Sequence, residues 1–398
     1  MSAEPLISVI LATHNRRDVV LATIGRVLSG SVRHGLEIIV VDNASRDGTS
    51  DAVERRFPTV RVVRSPHNLG SCGKSLGVPQ ARGRWTVFLD DDSYPRPGSL
   101  DRMVEHFNAD ASLGAAAFRV HLPGGLQESA ALPDVFVGCG VGFRAHALRE
   151  VGGLDPDLFM QAEEYHLAFR LVNAGWRIRR FDDLHVDHLK SPCARRTART
   201  LYFDTRNNLL AAARYLPPPY DEIYASDWRQ RYAWMAGTAA RWLAYARGCG
   251  AAFVRSRSDR ARHARARLSP IALETLFRLD LAEREMRWLG DQGLRRIVLV
   301  DLGKNVYAFH RAAQRAELTI LAIADDRFAR AGREYRGTSI VTLDRGLAAA
   351  PDAFVVANMS PVHAEAARRR LIARTPLPVF EWFSRPLPAL APRQAVLT

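Results

Sequence analysis

Three consecutive carboxylates, Asp90, Asp91 and Asp92, stand directly behind the apolar run Trp85–Leu89. Such a run reads as a buried parallel strand. The acids therefore sit at the mouth of a strand, where like charges repel unless a cation joins them. Hard oxygen ligands with open geometry suit Mg²⁺ or Mn²⁺, ions that are commonly shared with phosphate oxygens. The alternative is a solvated acidic turn, since Ser93-Tyr94-Pro95 ends the strand. A second acidic pair, Glu163-Glu164, precedes Leu167, Ala168, Leu171 and Val172, whose spacing is helical. Both acids then fall in the first turn of a helix, where the dipole alone favours negative charge.

The elements that must hold these acids alternate between strand and helix. Ile7–Ala12, Glu37–Asp42 and Val60–Arg64 read as strands, and Arg17–Leu28 has the apolar spacing of a helix. A helix opened near Ser45 and Asp47 follows the second strand, and a glycine-containing helix precedes Trp85. That alternation predicts a parallel sheet covered on both faces. Ligands of such sheets bind beyond the carboxyl ends of the strands, which brings Thr13, Asp42 and the triplet to one rim. Asp42 could accept from a ribose hydroxyl or a base, or cap the next helix. The Asn68-Leu69-Gly70 turn lets backbone approach a ligand, though it is also an ordinary turn signal. Neither a Walker loop nor GxGxxG occurs in this region, which argues against a P-loop or dinucleotide enzyme.

The 398 residues suit roughly two or three domains, and the formal charge of +14 points to an anionic partner. Cys72, Cys139, Cys193 and Cys249 are widely spaced without a CxxC pair, as in a reduced cytosolic protein. The N-terminus lacks the marks of a signal peptide, and no apolar run reaches the roughly 20 residues of a membrane span. The expectation is a cytoplasmic protein. A nucleic-acid partner has only the charge in its favour, with no recognition motif, and is not expected.

The stretches PLISVILATHNR, EIIVVDNASRDGT, the HNLG turn and VFLDDDSYP resemble the nucleotide-sugar half of family 2 glycosyltransferases. Gly138-Cys139-Gly140, Arg144 and VGGLDPDLFMQAEEYHLAFRLVNAGWRI are similar to that family's acceptor-side block, and the resemblance covers roughly residues 5–215. It implies a GT-A fold and inverting transfer from a nucleotide diphosphate sugar with a divalent metal, Mg²⁺ or Mn²⁺. The implied metal ligands are Asp90, Asp92 and His188, with His185 as second choice. The implied donor contacts are Thr13, Asp42, Asn68, Lys74, Asp90 and Asp91. Glu164 falls at the position of the family's general base, with Glu163 orienting it or binding the acceptor. Three departures stand out: Lys74-Ser75-Leu76-Gly77 replaces an Arg-Asn-containing segment, Glu163-Glu164 stands for the family's usual Glu-Asp pair, and His166 stands where an Asp is common.

Residues 195–215 read as an amphipathic basic helix resembling the segment that closes the family's domain. Residues 225–268 are helical, with Trp228, Trp234, Trp242 and Tyr245 leading into a run of arginines up to Arg267. Tryptophan and arginine on amphipathic helices suit the headgroup zone of an anionic membrane; the alternative is a packed helix pair with a solvated basic face. From about residue 294 strand–helix alternation returns, with Asp325 or Asp326 where a ribose-binding acid could stand. The expected α/β architecture is thus a GT-A parallel or mixed sheet domain over 1–215, a helical segment over 216–293 and a small Rossmann-like domain over 294–398. The expected acceptor is a glycan or lipid-linked hydroxyl in surface polysaccharide synthesis. A nucleotidyltransferase lacks its glycine-rich loop and lysine here. A non-catalytic sugar-nucleotide-binding or scaffold protein is the rival from another class.

Overall fold

The computed structural model describes residues 6–30, 32–190, 197–263 and 266–382. Strands β1 (Ile7–Thr13), β2 (Leu36–Asn43), β3 (Arg61–Ser65) and β4 (Trp85–Asp90) are the parallel half of a nine-stranded sheet. Helices α1 (Arg17–Ser29) and α2 (Thr49–Arg56) make the first crossovers. Beyond β4 come β5 (Ser93–Pro95), α3 (Ser99–Ala109), β6 (Leu113–His121), β7 (Gln127–Glu128) and β8 (Val141–Arg144). Then follow α4 (Ala145–Glu150), α5 (Glu163–Asn173) and β9 (Arg177–His188). The strand order is β3-β2-β1-β4-β8-β6-β9-β5, with β7 paired to β6. β8 runs antiparallel to both β4 and β6, so the sheet is mixed. Register places Thr13 beside Asp42 and Ala12 beside Asp90, which puts these residues on the single rim that strand polarity dictates.

The segment before β4 departs from expectation. Gly70–Gln80 is a run of 3₁₀ turns rather than an α-helix, with Pro79 inside it. The sheet forces this close approach: a Cβ at Gly73 would meet the Asn43 side chain at 2.3 Å, and one at Gly77 would meet Ile10 at 2.7 Å.

Helix α6 (Ala198–Tyr215) lies within the amphipathic basic helix expected over 195–215, whose first residues, and Cys193, lie outside the described part. Thr205, Asn207, Asn208 and Arg214 on it are all buried. Asn207 Nδ2 donates to the carbonyls of Leu158, Met160 and Gln161, binding α6 to the chain entering α5. Helices α7 (Tyr220–Ala236), α8 (Ala239–His263), α9 (Pro270–Phe277) and α10 (Leu279–Asp291) then lead to a second sheet.

That sheet comprises β10 (Arg296–Val300), β11 (Thr319–Ala324), β12 (Glu334–Tyr335), β13 (Thr338–Val341), β14 (Ala353–Val356) and β15 (Val379–Phe380). They are interleaved with α11 (Val306–Arg315), α12 (Leu343–Ala348) and α13 (Pro361–Ile372), in the order β12-β13-β11-β10-β14-β15. One buried apolar cluster runs from Ile10 and Phe143 through Tyr224 and Phe277 to Phe309 and Ile340. The second sheet therefore shares a core with the first. Its carboxyl rim is closed by α7: Trp228 Nε1 donates to Lys304 O at 2.9 Å, Tyr224 bonds Asn305, and Arg231 bonds Leu302 O. Asp325 spends its oxygens on the backbone N–H groups of Leu302, Arg327 and Phe328. Asp326 accepts from Leu343 N.

Candidate active site

Asp90 ends β4 and is the most open of the three acids, with 36% of its side chain exposed. Asp91 turns inward: Thr13 Oγ1 donates to it at 2.8 Å and Arg16 Nη1 at 2.6 Å, while Thr23 Oγ1 bonds its carbonyl. Burial is the largest influence on Asp91 and lifts its carboxyl to about 6 despite Arg16. Asp91 and Thr13 therefore hold the rim together from below. Arg16 also reaches Asp92 Oδ2 at 2.9 Å. It was not singled out from sequence, and only its place just past β1 could have suggested it.

Pairing of β5 with β9 sets Ser93 opposite His188, which delivers the imidazole to the triplet. His188 Nε2 lies 3.2 Å from Asp92 and 3.8 Å from Asp90, while Nδ1 faces Cys139 Sγ at 3.3 Å and Glu128 at 3.5 Å. Burial opposes its charge, but the hydrogen bond to Asp92 and the charge of Asp90 prevail and raise His188 to about 10. Burial likewise works against the charged form of Asp92, yet the net effect of His188 and Arg16 is a lowered value. These acids demand positive charge. Asp90, Cys139 and His188 offer ligand atoms within 4.8 Å of one another, a group that includes two of the three expected ligands, while the third, Asp92, meets His188 Nε2. Asp90 and His188 thus fit a divalent ion taking the place of the imidazolium proton. Cys139 and Glu128 had no assigned role in the sequence reading, because nothing local marks them as facing a histidine 49 or more residues away. His185 is elsewhere, paired with His121 at 3.0 Å.

Lys74 is buried, and its amine bonds Asp90 and donates to Gly138 O at 2.9 Å. Burial disfavours its charge, but Asp90 outweighs that and raises its value. The Gly138 N–H in turn donates to Glu164 Oε1 at 3.2 Å. A continuous path Asp90–Lys74–Gly138–Glu164 thus joins the triplet to the helix α5 acids.

Ala162, at φ +61°, turns the chain into α5, so both glutamates stand in its first turn. Glu163 is buried, accepts from Ser71 Oγ, and leaves Oε2 without a partner among the described residues. Burial, then the charge of Glu164, pushes Glu163 well up; burial also raises Glu164. Glu164 is the partly open member of the pair. His166 lies outside this group: fully buried, it bonds Asn207 O at 3.0 Å, and burial lowers it to about 3. The departure from Asp at that position is absorbed in the packing of α5 on α6.

Two expected donor contacts hold local structure. Asp42 accepts from Ser45 N at 2.9 Å and from Ser50 Oγ, securing the entry to α2. Asn68 Oδ1 accepts from Gly70 N at 2.8 Å, closing its own turn.

Residues 8–131 match the family described as glycosyl transferase family 2, and residues 85–279 match glycosyl transferase family group 2. The chain belongs to the family 2 glycosyltransferases. It is 29% identical over 153 residues to a putative teichuronic acid biosynthesis glycosyltransferase of Bacillus subtilis, spanning 34% of this chain and 60% of that one. It is 34% identical over 109 residues to a succinoglycan biosynthesis protein of Rhizobium meliloti, covering 26% of this chain and 30% of the relative. A third relative, an Escherichia coli glucosyltransferase acting from UDP-Glc on a GlcNAc-diphosphoundecaprenol, is 31% identical over 91 residues, 22% of this chain and 36% of its own. The chain therefore spans between about a third and three-fifths of the curated relatives it matches. The fold is also similar to Staphylococcus aureus TarS 1–349 in complex with UDP, at TM-score 0.49 and 13% identity, over 84% of this chain and 99% of that one. The family matches end before β10, so the second sheet lies beyond them.

Proposed function

We propose that the protein transfers a sugar, with inversion, from a nucleotide diphosphate sugar to a hydroxyl of a glycan or lipid-linked acceptor in surface polysaccharide synthesis. The observation that carries this reading is the Asp90–Lys74–Gly138–Glu164 path, which sets a cation-demanding acidic rim beside a partly open carboxylate. Asp90, Asp92 and His188 would hold Mg²⁺ or Mn²⁺. When bound, the ion supplies positive charge against the diphosphate leaving group. Lys74 and Arg16 add fixed cations at the same rim. Thr13 and Asp91 shape the donor side through their side-chain bond, and Asp42 and Asn68 by closing the turns beside it.

Glu164 is the base in this reading. It takes the proton of the acceptor hydroxyl as that oxygen bonds the sugar's anomeric carbon and the bond to the phosphate oxygen breaks. Its raised value makes it a better base than an ordinary carboxylate. Glu163, pushed up by burial and by the charge of Glu164, stands beside the base to orient it or to bind the acceptor. The division into 1–215, 216–293 and 294–398 belongs to the same reading, with the second sheet as a buttress: Lys304 Nζ donates to Asn208 at 2.9 Å and lies 4.4 Å from the ring of Tyr165, next to Glu164. We place the protein in the cytoplasm, at the inner face of the membrane where a lipid-linked acceptor would be met. No helix among the described residues is long and apolar enough to cross a membrane.

Replacing Glu164 with Gln tests the assignment. Loss of a general base costs about 10²–10⁴-fold in rate, so Glu164→Gln should lose turnover with donor affinity and melting temperature unchanged. Full transfer activity in Glu164→Gln, with loss in Glu163→Gln, reverses the two roles; activity in both removes the base from this pair.

A further inference from the structure

The aromatic residues of the helical segment part company in the structure. Trp228 is 1% exposed, and Tyr224 and Tyr232 are buried with it, so α7 is a packing helix and the membrane expectation fails for it. On α8 the opposite holds. Trp242, Leu243, Phe253 and Val254 are 48, 53, 58 and 69% exposed. Their spacing, continued through the exposed Ala246 and Gly250, draws one stripe about three turns long. The reverse side of α8 is occupied, because Ala252 is buried and Gly248 packs on α6. Gly248 comes so near that an added Cβ would meet Tyr202 O at 2.9 Å.

Arginines accompany the stripe. Arg257 lies over the Phe253 ring at 4.5 Å, folding its charge back along the apolar surface as a snorkelling side chain does. At the other end, α6 and α8 enclose an open groove of about 660 Å³ lined by Arg199, Tyr202, Leu243 and Arg247 with three alanines. No carboxylate is among the described residues lining it. Two guanidiniums beside an apolar wall match a phosphate headgroup whose acyl chains continue over the stripe. The rest of the arginine run expected to join them includes side chains 259–265, outside the described ones.

We propose that the α8 stripe and the α6–α8 groove dock on an anionic bilayer, with a lipid phosphate between Arg199 and Arg247. Charge selects this occupant over a second copy of the chain, since pairing two such faces would bring like arginines together on a molecule of net charge +14. The face also lies on the acceptor side. Arg199 stacks over Phe159 at 4.9 Å, and Phe159 O accepts from Ser71 Oγ, the hydroxyl that bonds Glu163. Delivery of a lipid-linked acceptor from the same leaflet rests on the transferase reading; docking itself does not.

Full-length protein is sedimented with phosphatidylcholine vesicles with and without phosphatidylglycerol, so binding is read apart from sugar transfer. Binding should require phosphatidylglycerol and fall with salt. A basic residue near such a surface is worth roughly fivefold in partitioning, so Arg199→Glu/Arg247→Glu should bind at least tenfold more weakly. Trp242→Glu/Phe253→Glu should lose at least as much, and both variants should keep the wild-type melting temperature because these side chains are exposed. The same charge reversal at Arg368 and Arg369 on α13 should cost less than half as much on a logarithmic scale. Equal loss from the α13 reversal overturns the site, leaving net charge as the cause. Equal binding to neutral vesicles, or a dimer in light scattering that Phe253→Glu dissociates without any vesicle binding, overturns it as well.

Discussion

Replacing Lys74 with Met removes one positive charge from the candidate site while nearly conserving side-chain volume. Lys74 is 1% exposed, so its charge is maintained by Asp90 rather than by water. Breaking a fully buried ion pair costs about 3–5 kcal/mol. Asp90, however, is 36% exposed and keeps His188 at 3.8 Å, so solvent and the imidazolium screen part of the loss. The expected destabilisation is about 2 kcal/mol. With an unfolding entropy of ~2.1 cal/mol/K per residue, that lowers Tm by about 2–3 °C if the whole chain melts as one unit. Divalent cation should return more than this, because the variant's acids lack a competing amine; a ligand at 100 times its Kd adds about 2.7 kcal/mol. Differential scanning fluorimetry with and without Mn²⁺ reads both effects. If Lys74→Met melts like wild type, and Mn²⁺ raises the two proteins equally, the amine neither balances Asp90 nor competes for it.

Gly70→Ala should destabilise the protein by about 1–3 kcal/mol and weaken donor binding, because Gly70 sits at φ +60° and an added Cβ would meet Phe159 O at 2.3 Å; chemical denaturation and donor titration measure the two. Asp301→Asn should stabilise the protein at pH 8. Burial, chiefly, raises the Asp301 carboxyl to about 6; the folded state thus keeps a proton that the unfolded chain releases near 4, and stability is lost as pH rises through that window. The amide should gain roughly 1–3 kcal/mol above pH 6 and nothing near pH 4, read from urea melts at both values.

Much of the site was legible because its physics is local or follows from strand polarity. The triplet follows an apolar strand, and parallel strands present their carboxyl ends to one side, so Asp42, Thr13 and Asp90–Asp92 had to share a rim. Glu163 and Glu164 were readable as a helix start from apolar spacing alone. The 3₁₀ form of Gly70–Gln80 was not, since the spacing of glycines does not reveal that Asn43 and Ile10 press against them.

The sequence by itself determined the α/β class, the acidic rim, the start of the helix that carries Glu163 and Glu164, and the presence of a second strand–helix region. Only the tertiary structure decided which polar groups meet. Lys74 finds both Asp90 and Gly138, Arg16 clasps Asp91 and Asp92, and Cys139 and Glu128 back His188, through contacts between residues far apart in the chain. It also decided which aromatics are core and which are surface: Trp228 and Trp242 stand on adjoining helices of similar composition, yet one is covered by the second sheet's rim and the other faces outward. The reason is physical. Periodicity and charge report what one segment prefers, whereas burial and hydrogen-bond partners are set by the segment that packs against it.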